Sequence, residues 1–550
     1  MNLDYNAKQD NLIRVCCLVT ECSLILRFAK FVAIKVQGNM AKALKSRASK
    51  QSYISPKQTV IPGFETPFSN QLVASNRWVV LANKIPWDTL VSTYNRQLGN
   101  KFTGANSINP RVAIGAVIIK HLCNLSDQET ILQIQENMYM QYFIGYSSFC
   151  NEAPFDSSLF VDIRKRLTLE DINEINEKIL GLNAKNERGG DENDQEKFDK
   201  PPTDQLVPES HNTLSQESSP PTNADNQTAH EGSLLMDATV CPQDIAYPTD
   251  LDVLNAAREK SEELIDILYQ AIVSTSPKPR TYREKARKLY LNTAQKRKKS
   301  QKVIRKANKQ QLQFLGRNIK SIQKLLEQRT GRIPLRNKEY KYLLVIQTVY
   351  TQQKYMYDNK VHSVEDRIVS IHQPHVRPIV RGKVNAPTEF GSKIQVSLVK
   401  GVSFLDKLSW DAFNEGTCLK DSVNKYKERF GFYPQEVLAD KIYCTRDNRN
   451  WLREMGIILK AKPLGRPGTK VALSNQVRPG ERNPMEGKFG QAKTTYGMNR
   501  IKARLMDTSE SWIASIVLVL NLINLIGKAL FCLLLNQLIV IKFYWKISLG

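Results

Sequence analysis

Hydrophobic positions in residues 66–182 recur at helical spacing and predict a series of short helices. Residues 110–122 carry a helical apolar stripe with a proline at its start, where proline is favoured in the first turn. Ser126 precedes an acidic residue at the third following position and then Ile131 and Ile134, as at a helix N-terminus. The segment therefore predicts an all-α N-terminal domain. A helix-turn-helix DNA reader and a plain scaffold both fit this pattern.

From residue 233 onward, short β-branched runs alternate with helical patterns. Strands are expected at 234–236, 367–371, 377–380, 394–399, 436–439 and 456–459. Helical patterns lie between them, at about 250–358, 417–429, 446–455 and 478–504. This alternation predicts an α/β domain in which a set of basic helices is inserted after the first strand.

Charge changes this picture, because the chain has 79 Lys and Arg residues against 54 Asp and Glu residues and a net charge of +25. Residues 278–332 hold 19 of the basic residues and only two acids. Such a run is often a solvated helix face, but contact with a phosphate backbone explains the density better. Nucleic acid is the polyanionic partner that this surplus favours. The predicted DNA contacts in this run are Lys296, Arg297, Lys298, Lys299, Arg305 and Lys306.

Residues 186–232 contain 11 acids, three bases and two Pro-Pro pairs, without apolar periodicity. This composition predicts a disordered acidic linker. The nine cysteines form no C-x-x-C pair, and the six histidines complete no zinc-ligand pattern. Reduced intracellular thiols are therefore expected, without a disulfide framework or a structural zinc site.

Residues 513–541 are apolar enough and long enough to span a bilayer. Asn521, Asn524 and Lys528 interrupt the stretch, however, and polar groups near the middle of a membrane span are costly. The apolar positions also keep a helical stripe. We therefore favour a helix buried in the protein or against a partner, and no membrane partner.

Three acids are candidates for chemistry: Asp237, Asp440 and Glu486. The first two each end an apolar, strand-like run, although an Asp after a strand is more often a turn former or a helix cap. On a helix, Arg482 lies about 40° from Glu486 and Lys493 about 20° to its other side. A carboxylate between two cations suits a metal ion and a phosphodiester. A surface salt bridge beside an unrelated lysine is the alternative.

These motifs together resemble bacterial insertion-sequence transposases of the DDE class. The resemblance lies in residues 233–250, 436–447 and 481–497, and the helical segment 66–182 also looks like the N-terminal domain of this family. The spacing of Arg482, Glu486 and Lys493 is similar to that of the group with a Tyr-Arg-Glu-Lys signature. The tyrosine of that signature would fall at Pro479, which departs from the pattern.

The resemblance implies a ribonuclease H-like core in which Asp237, Asp440 and Glu486 are catalytic and hold two divalent ions, usually Mg²⁺, with Mn²⁺ as an alternative. Arg482 and Lys493 would position DNA phosphates. The implied reaction is cleavage at the ends of the element, followed by transfer of the freed 3′-hydroxyl to target DNA. Alternatives are a catalytically inactive, transposon-derived DNA-binding protein and a nuclease that lacks strand transfer.

The implied partners are double-stranded DNA, as terminal inverted repeats and as target, and a second copy of the chain in a homodimeric DNA complex. A cytoplasmic, nucleoid-associated bacterial protein is expected. The predicted organisation is an N-terminal extension at 1–54, a helical DNA-binding domain at 55–182, an acidic linker at 183–232, a ribonuclease H-like catalytic domain at 233–275 and 359–528, a basic helical insertion at 276–358, and an apolar tail at 529–550.

Overall fold

The computed structural model describes residues 53, 55, 67–68, 72–96, 108–179, 230–271, 277–328, 332–381, 388–462, 478 and 480–548, with side chains up to residue 527. The predictions for 1–52, for the linker at 183–229 and for the side chains of the apolar tail lie outside the described residues. All helices and strands named below fall within one compact unit, residues 54–97 and 110–550.

The N-terminal segment is helical, as its periodicity predicts. Its helices are α1 (Arg77–Lys84), α2 (Trp87–Arg96), α3 (Pro110–Leu122), α4 (Asp127–Glu136), α5 (Met138–Phe143), α6 (Phe160–Arg166) and α7 (Leu169–Ile179). The Ser126 hydroxyl accepts a hydrogen bond from the Glu129 backbone N–H at 3.0 Å, which confirms the predicted cap. Helix α3 is buried almost all round and not along one stripe, because neighbouring helices cover it.

A mixed sheet of six strands follows, so the chain is an α/β protein. The strands are β1 (Ser233–Pro242), β2 (Arg377–Val380), β3 (Thr388–Val399), β4 (Val402–Ser409), β5 (Glu436–Leu438) and β6 (Ile458–Lys460). One edge of β3 pairs antiparallel with β1, and its other edge pairs with β2 and then with β4. On the far side of β1, β5 and β6 run parallel to it in that order.

Strand β3 approaches β1 so closely that only glycine fits at Gly391. A Cβ atom added there would lie 2.1 Å from the carbonyl oxygen of Cys241. This contact fixes the end of the β1–β3 pairing, where Pro242 lies opposite Gly391.

Four helices lie between β1 and β2: α8 (Asp250–Gln270), α9 (Arg283–Ala294), α10 (Gln301–Glu327) and α11 (Asn337–Asn359). Their apolar faces share one core that includes Leu254, Ile265, Leu315 and Ile346. Helix α8 therefore packs with the basic segment that follows it. The buried Arg258 guanidinium donates to Glu262 at 2.6 Å and to Gln311 at 3.0 Å, which satisfies its charge inside the bundle.

The remaining helices are α12 (Leu419–Phe430), α13 (Arg446–Glu454), α14 (Asn483–Thr494) and α15 (Met506–Ser548). Short 3₁₀ turns at Glu415–Cys418 and Lys441–Tyr443 precede α12 and α13. The order of strands and helices after residue 233 confirms the predicted alternation, including the insertion of helices after the first strand.

Three local predictions are wrong. Residues 367–371 form no strand, because Ile368, Val369 and Ile371 place their side chains in apolar cores from an irregular segment. Strand β4 was missed at 402–409. Asp237 does not end a strand, because β1 continues to pair with β3 for five more residues, to Pro242.

Residues Met506–Gly527 of helix α15 are largely enclosed by the protein. Met506–Gly527 is long and apolar enough to cross a membrane, yet 72% of its most apolar window is buried inside the protein. The Asn521 side chain is 1% exposed and hydrogen-bonds Asn176 of α7 and Ser403 of β4. These contacts agree with the buried helix expected from the sequence and explain its asparagine at position 521.

A charged cluster joins α3, α4, α6 and α15. Asp127 receives two hydrogen bonds of 2.9 Å from the Arg164 guanidinium and one ion pair of 2.9 Å from Lys120. The Lys120 ammonium, 1% exposed, lies 4.6 Å from the centre of the Trp512 ring. Burial raises the pKa of Asp127, but the two cations outweigh burial and hold that pKa at about 2.

This cluster makes acid stability depend on Asp127. Because its folded pKa of about 2 lies below the usual 3.8, ionised Asp127 stabilises the fold above about pH 4. That contribution, about 2 kcal/mol, is lost as the pH falls toward 2. Denaturant unfolding at pH 6, 4 and 3 should show a smaller pH dependence for Asp127→Asn. Asp162→Asn, an exposed acid on α6, should keep the wild-type dependence; equal slopes for all three proteins would contradict the expectation.

Candidate active site

The sheet places two of the three candidate acids side by side. Strand β5 runs parallel to β1, with Leu235 level with Leu438. Extending this register by two residues brings Asp237 level with Asp440, which directly follows β5. Leu234 and Met236 pack in the core against α12, and the alternation of side chains therefore places Asp237 on the other face of the sheet.

One arginine bridges the two carboxylates. The Arg482 Nη2 atom donates to Asp237 Oδ2 at 3.0 Å, and its Nη1 atom lies 3.3 Å from Asp440 Oδ1. Arg482 is the residue immediately before α14, so the start of that helix sets the position of its guanidinium. The backbone N–H groups of Ala238 and Lys441 also donate to the carboxylates of Asp237 and Asp440. The site therefore holds two oriented acids around one positive charge.

The electrostatics favour a cation at this position. Burial raises the pKa of Asp237, and the charges of Glu415 and Asp440 raise it further. The Ala238 hydrogen bond and Arg482 act in the opposite direction without cancelling the increase. Any additional cation beside Asp237 would stabilise its ionised form, since opposite charge is the factor that lowers such a pKa.

Glu486 lies at the edge of the same region, in the first turn of α14. It lines a cavity of about 340 Å³ together with Asp440 and Arg482. The other side chains and backbone around this cavity belong to Ala439, Lys462, Arg478, Gly480 and Asn483. Carboxylates and basic groups therefore face one space, which suits a phosphodiester that is held together with metal ions.

The predicted single helical face of Arg482, Glu486 and Lys493 is wrong in one respect. Helix α14 begins at Asn483, so Arg482 precedes the helix and turns toward the two aspartates. Lys493 is in the last turn of α14. Burial of the Cys241 thiol raises its pKa to about 12, and the nearby charge of Lys493 opposes that increase. Lys493 thus acts near the far end of β1, whereas Arg482 contacts Asp237 and Asp440.

The predicted DNA-contact residues lie apart from the acids, at the α9–α10 connection. Lys296, Arg297, Lys298 and Lys299 are exposed in the loop, and Arg305 and Lys306 are exposed on the first turns of α10. Arg305 donates to the carbonyl of Tyr357 at 3.0 Å and stacks 4.1 Å from its ring centre. Within the described ranges, ion pairs of this basic segment involve Lys278 and Arg283 instead. The six side chains thus keep their charge available to a polyanion.

The three candidate acids supply the type of oxygen donor that a hard divalent cation prefers, but they are not gathered around one point in this structure. Asp237, Asp440 and Glu486 offer carboxylate oxygens, which Mg²⁺ prefers. The Arg482 guanidinium between Asp237 and Asp440 shows that this pair already attracts positive charge. Among the described residues, no group of three His, Cys, Asp or Glu side chains is close enough to hold an ion together.

Sequence reasoning missed Lys462 and Arg478 as part of the site. Both line the cavity beside Asp440 and Glu486. The signal was the basic, Gly- and Pro-rich composition of residues 462–470, which indicated a loop but gave no spacing to the acids. Glu415, whose charge acts on Asp237, lies in the 3₁₀ turn before α12 and had no sequence signal at all.

Fold and site define an α/β protein with two adjacent carboxylates on parallel strands and a third at the start of a later helix. Residues 437–523 match a family model described as the transposase DDE domain, and residues 67–166 match a transposase domain called DUF772. These matches confirm the expected resemblance to insertion-sequence transposases of the DDE class over residues 67–166 and 437–523. Membership of the Tyr-Arg-Glu-Lys group stays a prediction.

A curated relative is the uncharacterized protein ORF8 in the nfe locus of Rhizobium meliloti, which is 35% identical over 100 residues. That alignment covers 18% of this chain and 46% of the relative, so the chain spans about half the length of the relative it matches. No solved structure matches the chain. The DDE match contains Asp440, Arg482, Glu486 and Lys493, whereas Asp237 lies outside it.

Proposed function

We propose that the chain is the DNA transposase of an insertion sequence, which cleaves the ends of its element and transfers the freed strand to target DNA. The observation that carries this proposal is the placement of Asp237, on β1, level with Asp440, just after the neighbouring strand β5, with Arg482 joining them beside Glu486. The match of residues 437–523 to a transposase DDE domain supports the same reaction class.

The catalytic core of this proposal is ribonuclease H-like. Its support is a sheet in which three antiparallel strands, β4, β3 and β1, continue into the parallel strands β5 and β6. A site at the end of β5, where Asp440 follows the strand, is typical of active sites in sheets with parallel strands. Residues 55–182 would be the helical DNA-binding domain, and the DUF772 match over 67–166 supports its link to transposases.

Asp237, Asp440 and Glu486 would hold two divalent ions, Mg²⁺ or Mn²⁺. When bound, such ions activate an attacking oxygen and stabilise the leaving oxygen. The chain itself contributes orientation: the Ala238 and Lys441 N–H groups fix the two aspartates, and Arg482 keeps them from repelling each other. Lys462 and Arg478 would bind the phosphate next to the scissile bond, because both face the cavity of Asp440 and Glu486.

The partners of this reaction are double-stranded DNA, both as terminal inverted repeats and as target. Two element ends must be joined, so we propose a homodimer in the DNA complex and a nucleoid-associated location in the bacterial cytoplasm. The direct test is nicking of a supercoiled plasmid that carries the element's own ends, with Mg²⁺ and with EDTA. Nicking in Mg²⁺ alone supports the proposal, whereas DNA binding without nicking in Mg²⁺ or Mn²⁺ would refute it.

The basic loop at 296–299 should contribute to DNA affinity through phosphate contacts. Changing Lys296, Arg297, Lys298 and Lys299 to alanine is expected to lower the slope of log affinity against log salt by about 3.6, since each lost contact removes about 0.9. The change is measured by fluorescence anisotropy with a 30-base-pair duplex between 50 and 200 mM KCl. The charge-retaining Arg297→Lys should keep the wild-type slope. An unchanged slope in the fourfold variant would exclude this loop as a DNA contact.

A further inference from the structure

Helix α13 begins six residues after Asp440 and carries three arginines, Arg446, Arg449 and Arg453. Their positions differ by three and seven residues, so about 60° of the helix circumference contains all three. All three side chains are exposed. The helix thus presents one narrow, strongly positive face close in sequence to the candidate active site.

Salt bridges within the helix do not stabilise these arginines. No acid stands three or four residues from any of them within α13, where a helical salt bridge would require one. Arg446 and Arg449 are three apart, and Arg449 and Arg453 are four apart, so neighbouring like charges repel. Arg446 also occupies the first turn, at the positive end of the helix dipole. The repulsion and the position of Arg446 cost folding stability, whereas Arg453 in the last turn is placed favourably for the helix dipole.

Two other arginines of the same domain are paired with carboxylates. Arg429 on α12 lies 3.0 Å from Glu177 and 2.8 Å from Asp406, and Arg381 lies 3.3 Å from Glu389. In the part of the chain that the structure describes, the three α13 arginines have no such carboxylate. Their charges are therefore available to an outside anion.

The helix is held rigidly to the turn that carries Asp440. Asn448, 5% exposed, donates from Nδ2 to the Tyr443 carbonyl at 2.9 Å and to the Gly416 carbonyl at 2.7 Å. Leu452, 1% exposed, packs in the core beside β5. Tyr443 ends the 3₁₀ turn whose cap is Asp440. A ligand bound to α13 therefore has a fixed position relative to that carboxylate.

We infer that the arginine face of α13, formed by Arg446, Arg449 and Arg453, binds the phosphate backbone of the DNA substrate. The face is about 10.5 Å long at 1.5 Å per residue. One DNA strand presents a phosphate about every 3.4 Å along the duplex axis, so this length corresponds to about three phosphates. The guanidinium group of arginine binds phosphate through bidentate hydrogen bonds. This inference rests on the proposed function and adds a second DNA contact, separate from the loop at 296–299.

The test is the triple variant R446A/R449A/R453A of the full chain, compared with R446K/R449K/R453K and with Asn450→Ala on the same helix. Binding is measured in EDTA with a 30-base-pair duplex of random sequence between 50 and 200 mM KCl. In the alanine variant, the slope of log affinity against log salt should be about 2.7 smaller, because each of three lost phosphate contacts removes about 0.9. Between 50 and 200 mM KCl, the wild-type affinity should therefore fall about 40-fold more than the variant affinity. The lysine variant and Asn450→Ala should keep a slope close to the wild-type slope.

Folding provides an internal check, because removing like-charge repulsion should leave the denaturant midpoint of the alanine variant unchanged or higher. If the folded alanine variant keeps the wild-type slope of log affinity against log salt, the inference is wrong. If, in addition, its sedimentation coefficient differs from that of the wild type, the face binds a protein partner instead. The two proposals fail separately. If the wild type never nicks DNA but its salt slope still differs from that of the alanine variant, the transposase reaction is refuted. The inference about the DNA-binding face then still stands.

Discussion

Replacement of Asp440 with alanine is expected to lower the rate of Mg²⁺-dependent plasmid nicking by roughly 10³-fold or more, a loss of about 4 kcal/mol of transition-state stabilisation. The physical reason is the position of this carboxylate, which faces the cavity of Glu486 and lies beside Asp237. Loss of one acid removes a proposed metal ligand and leaves Arg482 with a single carboxylate partner. Nicking is followed under single-turnover conditions on a plasmid that carries the element's ends.

DNA affinity should respond in the opposite direction. Asp440 is 49% exposed, and removing its negative charge beside bound phosphates reduces repulsion. The variant should therefore bind the same duplex as tightly as the wild type or more tightly. Loss of nicking together with loss of binding would point to misfolding and not to the site.

Two further variants make this result interpretable. Asp440→Asn keeps an oxygen that can accept the Lys441 N–H, so it retains the turn and removes only the charge. Asp421→Ala removes an exposed acid from α12 and should nick DNA at the wild-type rate. Full activity of Asp440→Asn and Asp440→Ala would contradict the assignment of this acid, whatever the behaviour of Asp421→Ala.

The largest expected change in stability is at Asn521. Its amide donates to the Asn176 side-chain oxygen at 2.9 Å and to the Ser403 carbonyl at 2.7 Å, and it accepts from the Ser403 N–H at 2.8 Å. Leucine has a similar size but removes the bonds to the Ser403 N–H and to the Asn176 side-chain oxygen, while the Ser403 carbonyl keeps a 3.3 Å hydrogen bond from Asn176. At about 1–3 kcal/mol for each unsatisfied buried group, Asn521→Leu should lower the free energy of unfolding by about 3 kcal/mol or more.

Asn524→Leu is the matched control, one turn further along α15. The Asn524 side chain is partly exposed and makes one hydrogen bond, of 3.0 Å, to the Gly401 carbonyl. Its replacement should cost about 1 kcal/mol. Urea unfolding with an unchanged m-value measures both. A stability equal to the wild type for Asn521→Leu would contradict the buried placement of α15 and favour an apolar environment outside the protein.

The sequence by itself determined the features that depend on nearby residues: the N-terminal helices, their ends and the exposed basic segment. Helical periodicity located the N-terminal helices, and the proline and cap signals located their ends, because these depend on residues only a few positions apart. The end of β5 before Asp440 was readable for the same reason. The excess of basic residues between 278 and 332 likewise indicated exposed charge, since such a density has no room in an apolar core.

Tertiary structure decided everything that depends on partners distant in the chain. The burial of Ile368 and Ile371 produces the same β-branched pattern as a strand, and only packing against the helical bundle distinguishes the two. Asp237 appeared to end a strand because its apolar run stops there. The continuation of β1 to Pro242 depends on pairing with β3, whose residues come about 150 positions later.

The candidate site shows the same division. Residue types and the spacing of Arg482 and Glu486 suggested an acid with nearby cations, which local sequence can encode. The contact of Arg482 with Asp237 joins residues 245 positions apart and depends on where α14 begins. The register between β1 and β5 brings Asp440 level with Asp237. Helical spacing predicted a common face for Arg482 and Lys493. Helix α14 begins one residue after Arg482, however, so the Arg482 guanidinium lies off the helix face and contacts the two carboxylates.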